Sequence, residues 1–217
     1  MHDADLSRRD VMAGVGTCVA AATVPSGLRA QPASVGTPVL ATVSLTVNGV
    51  RRTLESDTRT SLLDLLREHL RLTGSKKGCD HGQCGACTAI VDGRRVNTCL
   101  TLAVMHEGSE VTTIEGLGQP ENLHPLQAAF VKHDGYQCGY CTPGQILSGV
   151  AVLDEIRAGI PSHATADLMN VSLSEAEIRE RMSGNICRCG AYSNIIDAMT
   201  EVAGAQQPGS EPARRQG

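Results

Sequence analysis

Residues 76–87 read Lys-Lys-Gly-Cys-Asp-His-Gly-Gln-Cys-Gly-Ala-Cys, and this stretch decides the fold. Its three cysteines have the spacing C-x4-C-x2-C, and a fourth cysteine follows after eleven further residues. That is the plant-type spacing for the ligands of a [2Fe–2S] cluster. We call these four residues the first thiol set: Cys79, Cys84, Cys87 and Cys99.

Glycines interrupt this loop where a cluster needs backbone close to it. Gly78, Gly82 and Gly85 have no Cβ and accept positive φ, so the chain can wrap a cluster and direct N–H groups at its sulfur atoms. Asp80 and His81 are interpreted as exposed polar residues of the loop. The alternative is a zinc site built from the same thiolates, although zinc sites favour paired C-x2-4-C knuckles.

A second group of cysteines stands further along the chain. We call it the second thiol set: Cys138, Cys141, Cys187 and Cys189. Pro143 marks the first turn of a helix directly after the C-x2-C pair, and another helix is predicted to begin at Ala191. Helix N-termini offer N–H groups and a positive dipole end to an anionic cluster. Alone, the pattern does not separate zinc from iron–sulfur, but beside a plant-type site it favours a second [2Fe–2S] cluster.

Composition restricts the class of protein. The chain has 217 residues and a net charge of −4, so no basic excess suggests nucleic acid as a partner. Aromatic residues make up 2% with no tryptophan, so aliphatic side chains must form the core. The ninth cysteine, Cys18, lies in a segment predicted to be removed. Four disulfides are the alternative for the other eight in an exported protein, but close pairs in Gly-rich loops favour a metal.

Residues 1–33 are predicted to be a twin-arginine signal peptide with its cleavage region. Arg8 and Arg9 precede an apolar run over residues 11–24, and small residues follow it. That run is shorter than the ~20 residues that span a bilayer. The alternative is a disordered tail with a chance arginine pair. The expected location is the periplasm, reached by a route that exports folded proteins with their cofactors in place.

Alternating β-branched residues predict a sheet around the first thiol set. Asn48-Gly49 is a strong hairpin signal between two such runs. A helix capped by Thr60 or Ser61 is expected to run to about Leu70. The predicted strands are Val39–Val47, Val50–Leu54, Ala86–Val91, Arg94–Asn97 and Glu110–Ile114. Together these elements predict a β-grasp, plant-type ferredoxin-like domain over residues 39–115.

The hydrophobic period changes to 3.6 after a linker at residues 116–122. The predicted helices are Pro125–Lys132, Pro143–Ala158, one from Ser174 to about Met182, and Ala191–Ala203. Ser174 and Glu177 have the sequence pattern of a capping box. These helices predict a four-helix [2Fe–2S]-binding domain over residues 123–204, followed by a polar tail at 205–217. The fold class is therefore α+β.

Residues 39–204 resemble the small iron–sulfur subunit of the molybdenum hydroxylases, the xanthine oxidase family. The motifs that carry the resemblance are Gly78–Thr88, Asn97–Leu100, Thr113–Leu117, Gln137–Gly144 and Gly184–Tyr192. Within that family the chain looks most like the small subunit of the three-subunit periplasmic aldehyde dehydrogenases. The resemblance covers nearly all of the chain that follows the predicted signal peptide.

The resemblance implies a subunit that transfers electrons and holds no catalytic residue. In this family a large subunit binds molybdopterin, here expected as its cytosine dinucleotide, and oxidises an aldehyde to a carboxylic acid. Electrons then pass through the helical-domain cluster and the β-grasp cluster to FAD on a third subunit. By position, Gln137 and Cys189 are implied to lie beside the pterin.

Other functions stay open from the sequence alone. A stand-alone two-cluster ferredoxin needs the same ligands, and so do the small subunits of xanthine, isoquinoline or carbon monoxide hydroxylases. A zinc-stabilised binding module without a redox role is a further alternative. The substrate and the terminal electron acceptor are not encoded in this chain, because both are expected to bind to other subunits.

Overall fold

The computed structural model of the protein describes residues 36–205. The predicted signal peptide, residues 1–33, lies outside the described residues, and so does the predicted tail beyond Ala205. From Pro38 on, the described residues belong to one unit with two hydrophobic cores. The domain boundaries at the predicted linker, residues 116–122, stay predictions. Within the described range, no helix is both long and apolar enough to cross a membrane.

The sheet begins with a hairpin of two strands, β1 (Leu40–Val47) and β2 (Val50–Asp57). The strands are antiparallel and pair across Asn48-Gly49, whose two residues both have positive φ. This is the backbone that a two-residue type I′ turn requires, so the predicted hairpin is confirmed. β2 runs on past its predicted end at Leu54, because β1 still offers partners as far as Leu40.

Three further strands complete a mixed five-stranded sheet in the order β2-β1-β5-β3-β4. They are β3 (Thr88–Val91), β4 (Arg94–Asn97) and β5 (Glu110–Thr112). β1 and β5 are parallel, whereas the other neighbouring strands are antiparallel. Parallel pairing of the first and last strands requires a crossover, and the first thiol set lies on that crossover.

The crossover starts with a helix, α1 (Leu62–Asp64), which continues as a π-helical turn over Leu65–His69. The Ser61 hydroxyl accepts a hydrogen bond from the Asp64 N–H at 3.1 Å, so Ser61 caps the helix as the sequence predicted. The wide turn was not predicted. It keeps the leucines of this segment against the sheet in a core of Val43, Leu45, Val47, Leu62, Leu65, Leu66, Ala89, Val91, Ala103 and Val111.

The last strand ends before Ile114, where the sequence predicted its end, and a short helix, α2 (Ile114–Leu117), begins there. The cause is a pair of hydrogen bonds from the hairpin turn. The Asn48 side chain accepts from the Thr113 N–H at 2.9 Å, and its amide nitrogen donates to the Thr113 hydroxyl at 2.9 Å. Thr113 is thereby held out of the ladder, and the chain turns at this point.

The rest of the described chain is helical, with α3 (Pro125–Lys132), α4 (Thr142–Arg157), α5 (Glu175–Met182) and α6 (Tyr192–Ala205). All four predicted helices are confirmed, with ends that agree within two residues. Their core is Leu126, Ala129, Phe130, Ile146, Val152, Leu153, Ile156, Ile178, Met182, Cys187, Ala191, Ile195, Ile196, Ala198, Met199, Val202 and Ala203. This second core carries the second thiol set at its edge.

Candidate metal centres

The first thiol set is assembled from the loop before β3 and from a 3₁₀ turn over Thr98–Leu100 that carries Cys99. The Cys87 and Cys99 sulfur atoms lie 3.4 Å apart. The Thr98 hydroxyl donates a 2.7 Å hydrogen bond to the Cys87 carbonyl, which holds the turn against the loop. Cys79 and Cys84 form the other pair, since the Cys84 thiol hydrogen-bonds to Cys79.

Backbone N–H groups in this loop point at sulfur. The Gln83 N–H donates to the Cys79 sulfur at 3.2 Å. Gly82 is in the left-handed region at φ +77°, and its N–H donates to the Cys99 sulfur. At Gly78 an added Cβ would lie 2.8 Å from the Cys84 sulfur, so the backbone passes as close as glycine allows. These features match what an anionic iron–sulfur cluster requires.

Two thiols of the first set, Cys79 and Cys99, have environments that shift their pKa values in opposite directions. Backbone N–H donors, first that of His81 and then that of Gln83, lower the pKa of the Cys79 thiol to about 6. Burial raises the pKa of Cys99 to about 11, and its contact with Cys87 adds to this effect. A metal that binds both as thiolates must therefore supply the positive charge that stabilises the thiolate of the half-buried Cys99.

The second thiol set joins two helix entries. Cys138 and Cys141 precede α4, while Cys187 and Cys189 lie on the turn between α5 and α6. The pairs form across these turns, because Cys189 hydrogen-bonds to Cys138 and Cys187 to Cys141. The Ala191 N–H donates to the Cys187 sulfur at 3.4 Å. The two turns thus bring together residues that are far apart in sequence.

Thiol environments also differ within the second set. Burial raises the pKa of Cys141 to about 12, and the neighbouring Cys187 thiol contributes. The exposed Cys138 has a lowered pKa, because the Tyr140 N–H and then the Cys189 thiol donate to it. Each set therefore contains one half-buried thiol with a raised pKa, Cys99 or Cys141, and one thiol with a lowered pKa, Cys79 or Cys138.

The thiols approach one another as pairs. Within residues 36–205, no group of three or more His, Cys, Asp or Glu side chains converges tightly enough to hold one metal ion. A [2Fe–2S] cluster has two irons, and each iron takes two of the four cysteines. Four thiol pairs in two sets match the arrangement of two binuclear clusters, with one pair for each iron.

The other predicted site residues differ in their exposure and in their neighbours. Gln137 is exposed and directly precedes Cys138, and Cys189 is half-buried. Gly85 is buried, and a Cβ added there would lie 2.5 Å from the side-chain nitrogen of Asn185. Glycine is therefore required at position 85 because Asn185, which lies close to Cys187 of the second thiol set, approaches it. A cluster-facing role for Gly85 stays a prediction.

Several residues that sequence reasoning missed connect the two thiol sets. The Ile186 N–H donates to the Cys84 carbonyl at 2.9 Å, and the Tyr140 hydroxyl donates to the Lys77 carbonyl at 2.7 Å. The Asn185 side chain also reaches the first loop, with a 3.2 Å hydrogen bond to the Gly85 carbonyl. The only sequence signal is their position beside the cysteines. These contacts hold the two cysteine regions against each other.

A charged network lies beside the same junction. The Arg95 guanidinium on β4 binds both carboxylate oxygens of Glu155 on α4, at 2.9 and 3.1 Å, and donates to the Arg181 carbonyl at 2.6 Å. Arg181 in turn pairs with Glu177 at 3.0 Å, and both of these side chains are 4% exposed. The network ties the edge of the sheet to α4 and α5.

Comparison with known proteins agrees with two cluster domains. The 2Fe-2S iron-sulfur cluster binding domain family matches residues 45–113, and the [2Fe-2S] binding domain family matches residues 113–200. The chain is 61% identical over 207 residues to the aldehyde oxidoreductase iron-sulfur-binding subunit PaoA of Escherichia coli, which covers 94% of this chain and 90% of that protein. It is 45% identical to caffeine dehydrogenase subunit gamma of a Pseudomonas species, over 74% of this chain and 90% of that protein.

Solved structures show the same fold. Quinoline 2-oxidoreductase from Pseudomonas putida matches with a TM-score of 0.65 and 43% identity, and the match covers 76% of this chain and 93% of that one. The aldehyde oxidoreductase from Desulfovibrio desulfuricans matches with a TM-score of 0.66 and 42% identity, over 76% of this chain and 17% of that one. In the second case a domain pair like this one is the smaller part of a longer polypeptide.

Proposed function

We propose a function for this chain from one premise: it belongs to the small iron–sulfur subunits of the molybdenum hydroxylase (xanthine oxidase) family. Its function is electron transfer within an aldehyde oxidoreductase, from a molybdopterin centre on a large subunit to FAD on a third subunit. When bound, two [2Fe–2S] clusters supply one-electron carriers for the two electrons released as an aldehyde becomes a carboxylic acid. The 61% identity to an aldehyde oxidoreductase subunit supports this substrate class.

The observation that carries the proposal is the direct contact between the loops that carry the two thiol sets. The Cys84 carbonyl accepts a 2.9 Å hydrogen bond from the N–H of Ile186, and Ile186 is followed by Cys187. Residues of the two cluster sites are thus neighbours across one backbone hydrogen bond. A protein that used its metals only for stability would not need the two sites to touch. Two touching sites suit electron transfer from one to the other.

Exposed apolar residues beside each thiol set support docking to two partner subunits. Near the second set these are Tyr136, Tyr140, Ile186 and Tyr192, and near Cys99 they are Leu100, Leu102 and Met105. Contiguous exposed apolar surface is typical of an interaction site. We assign the surface at the second set to the molybdopterin subunit and the surface at Cys99 to the flavin subunit. Gln137 and Cys189 are then the residues of this chain nearest the pterin.

Export to the periplasm is part of the proposal, and the sequence alone supports it. Arg8 and Arg9 precede an apolar run that is too short to span a bilayer. Changing both arginines to lysine is expected to retain the protein and its activity in the cytoplasm. Normal activity in the periplasmic fraction of that double variant would remove the export proposal.

Co-expression with the neighbouring genes tests the function. We expect a tagged chain to purify with a molybdopterin-binding subunit and a flavin-binding subunit. The complex should oxidise aldehydes, and its reduced form should give two distinct [2Fe–2S] EPR signals. A chain that purifies alone with both clusters would instead be a stand-alone ferredoxin. A complex that oxidises caffeine or quinoline but no aldehyde would keep the family and overturn the substrate class.

A further inference from the structure

A single buried asparagine contacts both cysteine regions. Asn185 lies on the turn between α5 and the C-x-C pair and is 6% exposed. Its side-chain nitrogen donates to the Gly85 carbonyl at 3.2 Å and to the Gly144 carbonyl at 3.3 Å. Gly85 lies between two cysteines of the first thiol set, and Gly144 lies in the first turn of α4 after Cys141. One amide group therefore joins three cysteine-bearing segments.

A second buried amide extends this contact to a thiol. The Gln145 side chain is 2% exposed, and its nitrogen donates to the Asn185 carbonyl at 2.8 Å. The same side chain hydrogen-bonds to the Cys141 thiol. Hydrogen bonds thus connect the Gln145 side chain to Cys141 and to the backbone carbonyl of Asn185, and the Asn185 side chain connects in turn to Gly85. We call this set of hydrogen bonds the amide link.

The packing around the amide link leaves no room for adjustment. A Cβ added to Gly144 would lie 2.2 Å from the Gly85 carbonyl oxygen, which is a backbone atom. A Cβ added to Gly85 would meet the Asn185 side chain at 2.5 Å and the Gly184 carbonyl at 2.8 Å. Close-packed interiors transmit such constraints rather than absorb them. The separation of the two cysteine regions is therefore fixed at this point.

We propose that the amide link sets the distance and relative orientation of the two clusters, which makes Asn185 a positioning residue for electron transfer between them. In that step one electron leaves the cluster of the second thiol set and reduces the cluster of the first, and no proton or bond changes. The inference rests on the proposed function. It adds a role for two side chains that hold no metal themselves.

Other contacts also join the two cores. A change at Asn185 can therefore test the positioning of the clusters without unfolding the subunit. The Arg95–Glu155 pair and the Tyr140–Lys77 hydrogen bond remain when Asn185 is changed. Asn185→Ala should therefore leave a folded subunit with both clusters. What it removes is the pair of side-chain hydrogen bonds from Asn185 to Gly85 and Gly144, while the backbone hydrogen bond from Ile186 to Cys84 remains. The geometry between the clusters should therefore become variable.

The test uses the assembled complex with Asn185→Ala. We expect unchanged iron content and partner binding, with loss or broadening of the magnetic interaction between the two reduced clusters in low-temperature EPR. Electron arrival at FAD after mixing with aldehyde should be slower in stopped-flow traces, while reduction of the second-set cluster keeps its rate. Asn194→Ala is the matched control, because it removes one amide–carbonyl hydrogen bond, 3.1 Å long to Asp134, outside the junction.

If the Asn185→Ala variant does not bind both clusters, a second variant tests the inference. Gln145→Leu cuts the amide link at its other end and leaves Asn185 in place. It should lower the reduction potential of the second-set cluster, because a hydrogen bond to its Cys141 sulfur is lost, and it should also broaden the magnetic interaction. The inference would be overturned if variants that bind both clusters kept the wild-type magnetic interaction and the wild-type rate of electron transfer to FAD. Absence of two interacting clusters in the wild type would instead refute the proposed function.

Discussion

The backbone N–H of Ile186 donates a 2.9 Å hydrogen bond to the carbonyl oxygen of Cys84. Each of these residues belongs to a cysteine loop of a different core, and Ile186 is itself 47% exposed. The junction between the cores therefore reaches the surface at Ile186. It holds the two candidate centres beside each other.

Removing one ligand of the second thiol set should leave the other centre intact. We expect Cys138→Ala to abolish the EPR signal of the helical-domain cluster and aldehyde turnover but to keep the β-grasp signal, because the two hydrophobic cores are separate. Cys84→Ala is the reciprocal variant and should lose the β-grasp signal. Turnover at the normal rate without the helical-domain cluster would show that electrons take another path.

Adding one methyl group at the junction should lower the free energy of unfolding strongly. Gly144→Ala forces a Cβ to within 2.2 Å of the Gly85 carbonyl oxygen, so one of the two backbones must move. We expect a loss of about 3 kcal/mol in the free energy of unfolding, the upper part of the range for overpacking. Urea titration of the cluster-loaded subunit measures it. Gly184→Ala is the control, because a Cβ there meets nothing within 4 Å.

The Arg95–Glu155 pair should contribute more than an ordinary surface pair. Its side chains are 28% and 25% exposed, and Arg95 also donates to the Arg181 carbonyl. Arg95→Met should cost about 2 kcal/mol in the free energy of unfolding, as for hydrogen bonds to charged groups. Arg59→Met, which removes the exposed pair with Asp57, should change the same urea midpoint little. Equal effects of the two changes would contradict this view of the junction.

The buried Glu177–Arg181 pair predicts a pH-dependent effect. Burial by itself raises the pKa of Glu177, but hydrogen bonds from two hydroxyls and from Arg181 outweigh it and leave the pKa below its usual 4.5. The stabilisation is then complete above about pH 4.5 and lost as the pH falls through the lowered pKa. Glu177→Gln should cost about 3 kcal/mol at pH 7, as for a broken buried pair.

The difference in melting temperature between wild type and Glu177→Gln should therefore shrink as the pH is lowered below 4.5, because acid neutralises the wild-type carboxylate. Circular dichroism melts between pH 7 and pH 3.5 measure this difference. Glu175→Gln, on the exposed side of the same helix, should change stability little over the whole range. A penalty at Glu177 that stays constant with pH would show that shape rather than charge matters there.

Local patterns predicted most of the fold. The Asn48-Gly49 hairpin, the Ser61 cap and the helix Pro125–Lys132 are all encoded within a few residues, and the structure has each of them. The misses have tertiary causes. Thr113 leaves the sheet because Asn48 binds it from 65 residues away. Ser174 caps its helix as predicted, since its hydroxyl accepts from the Glu177 N–H at 3.2 Å. The Glu177 carboxylate, expected to complete the capping box, instead accepts hydrogen bonds from Ser162 and Thr165.

In the candidate centres, too, local sequence predicted some features, and others depend on residues far apart in the chain. The short cysteine spacings predicted which thiols share a loop, whereas the pairs Cys138–Cys189 and Cys141–Cys187 form between distant turns. The contact of Gly85 with Asn185 spans 100 residues and has no periodic signal. A glycine in a cysteine loop suggests room for a cluster, and only the folded structure reveals the asparagine that occupies the space. Sequence motifs therefore predicted the candidate ligands but not the residues that support them.

The junction between the cores also has a consequence for biosynthesis. The Cys84 and Gly85 carbonyls lie in a domain that leaves the ribosome first, yet their partners at Ile186 and Asn185 are made about a hundred residues later. Until then the Cys84 and Gly85 carbonyls of the first cysteine loop lack these hydrogen-bond donors. The junction therefore closes only when the late-made turn is in place.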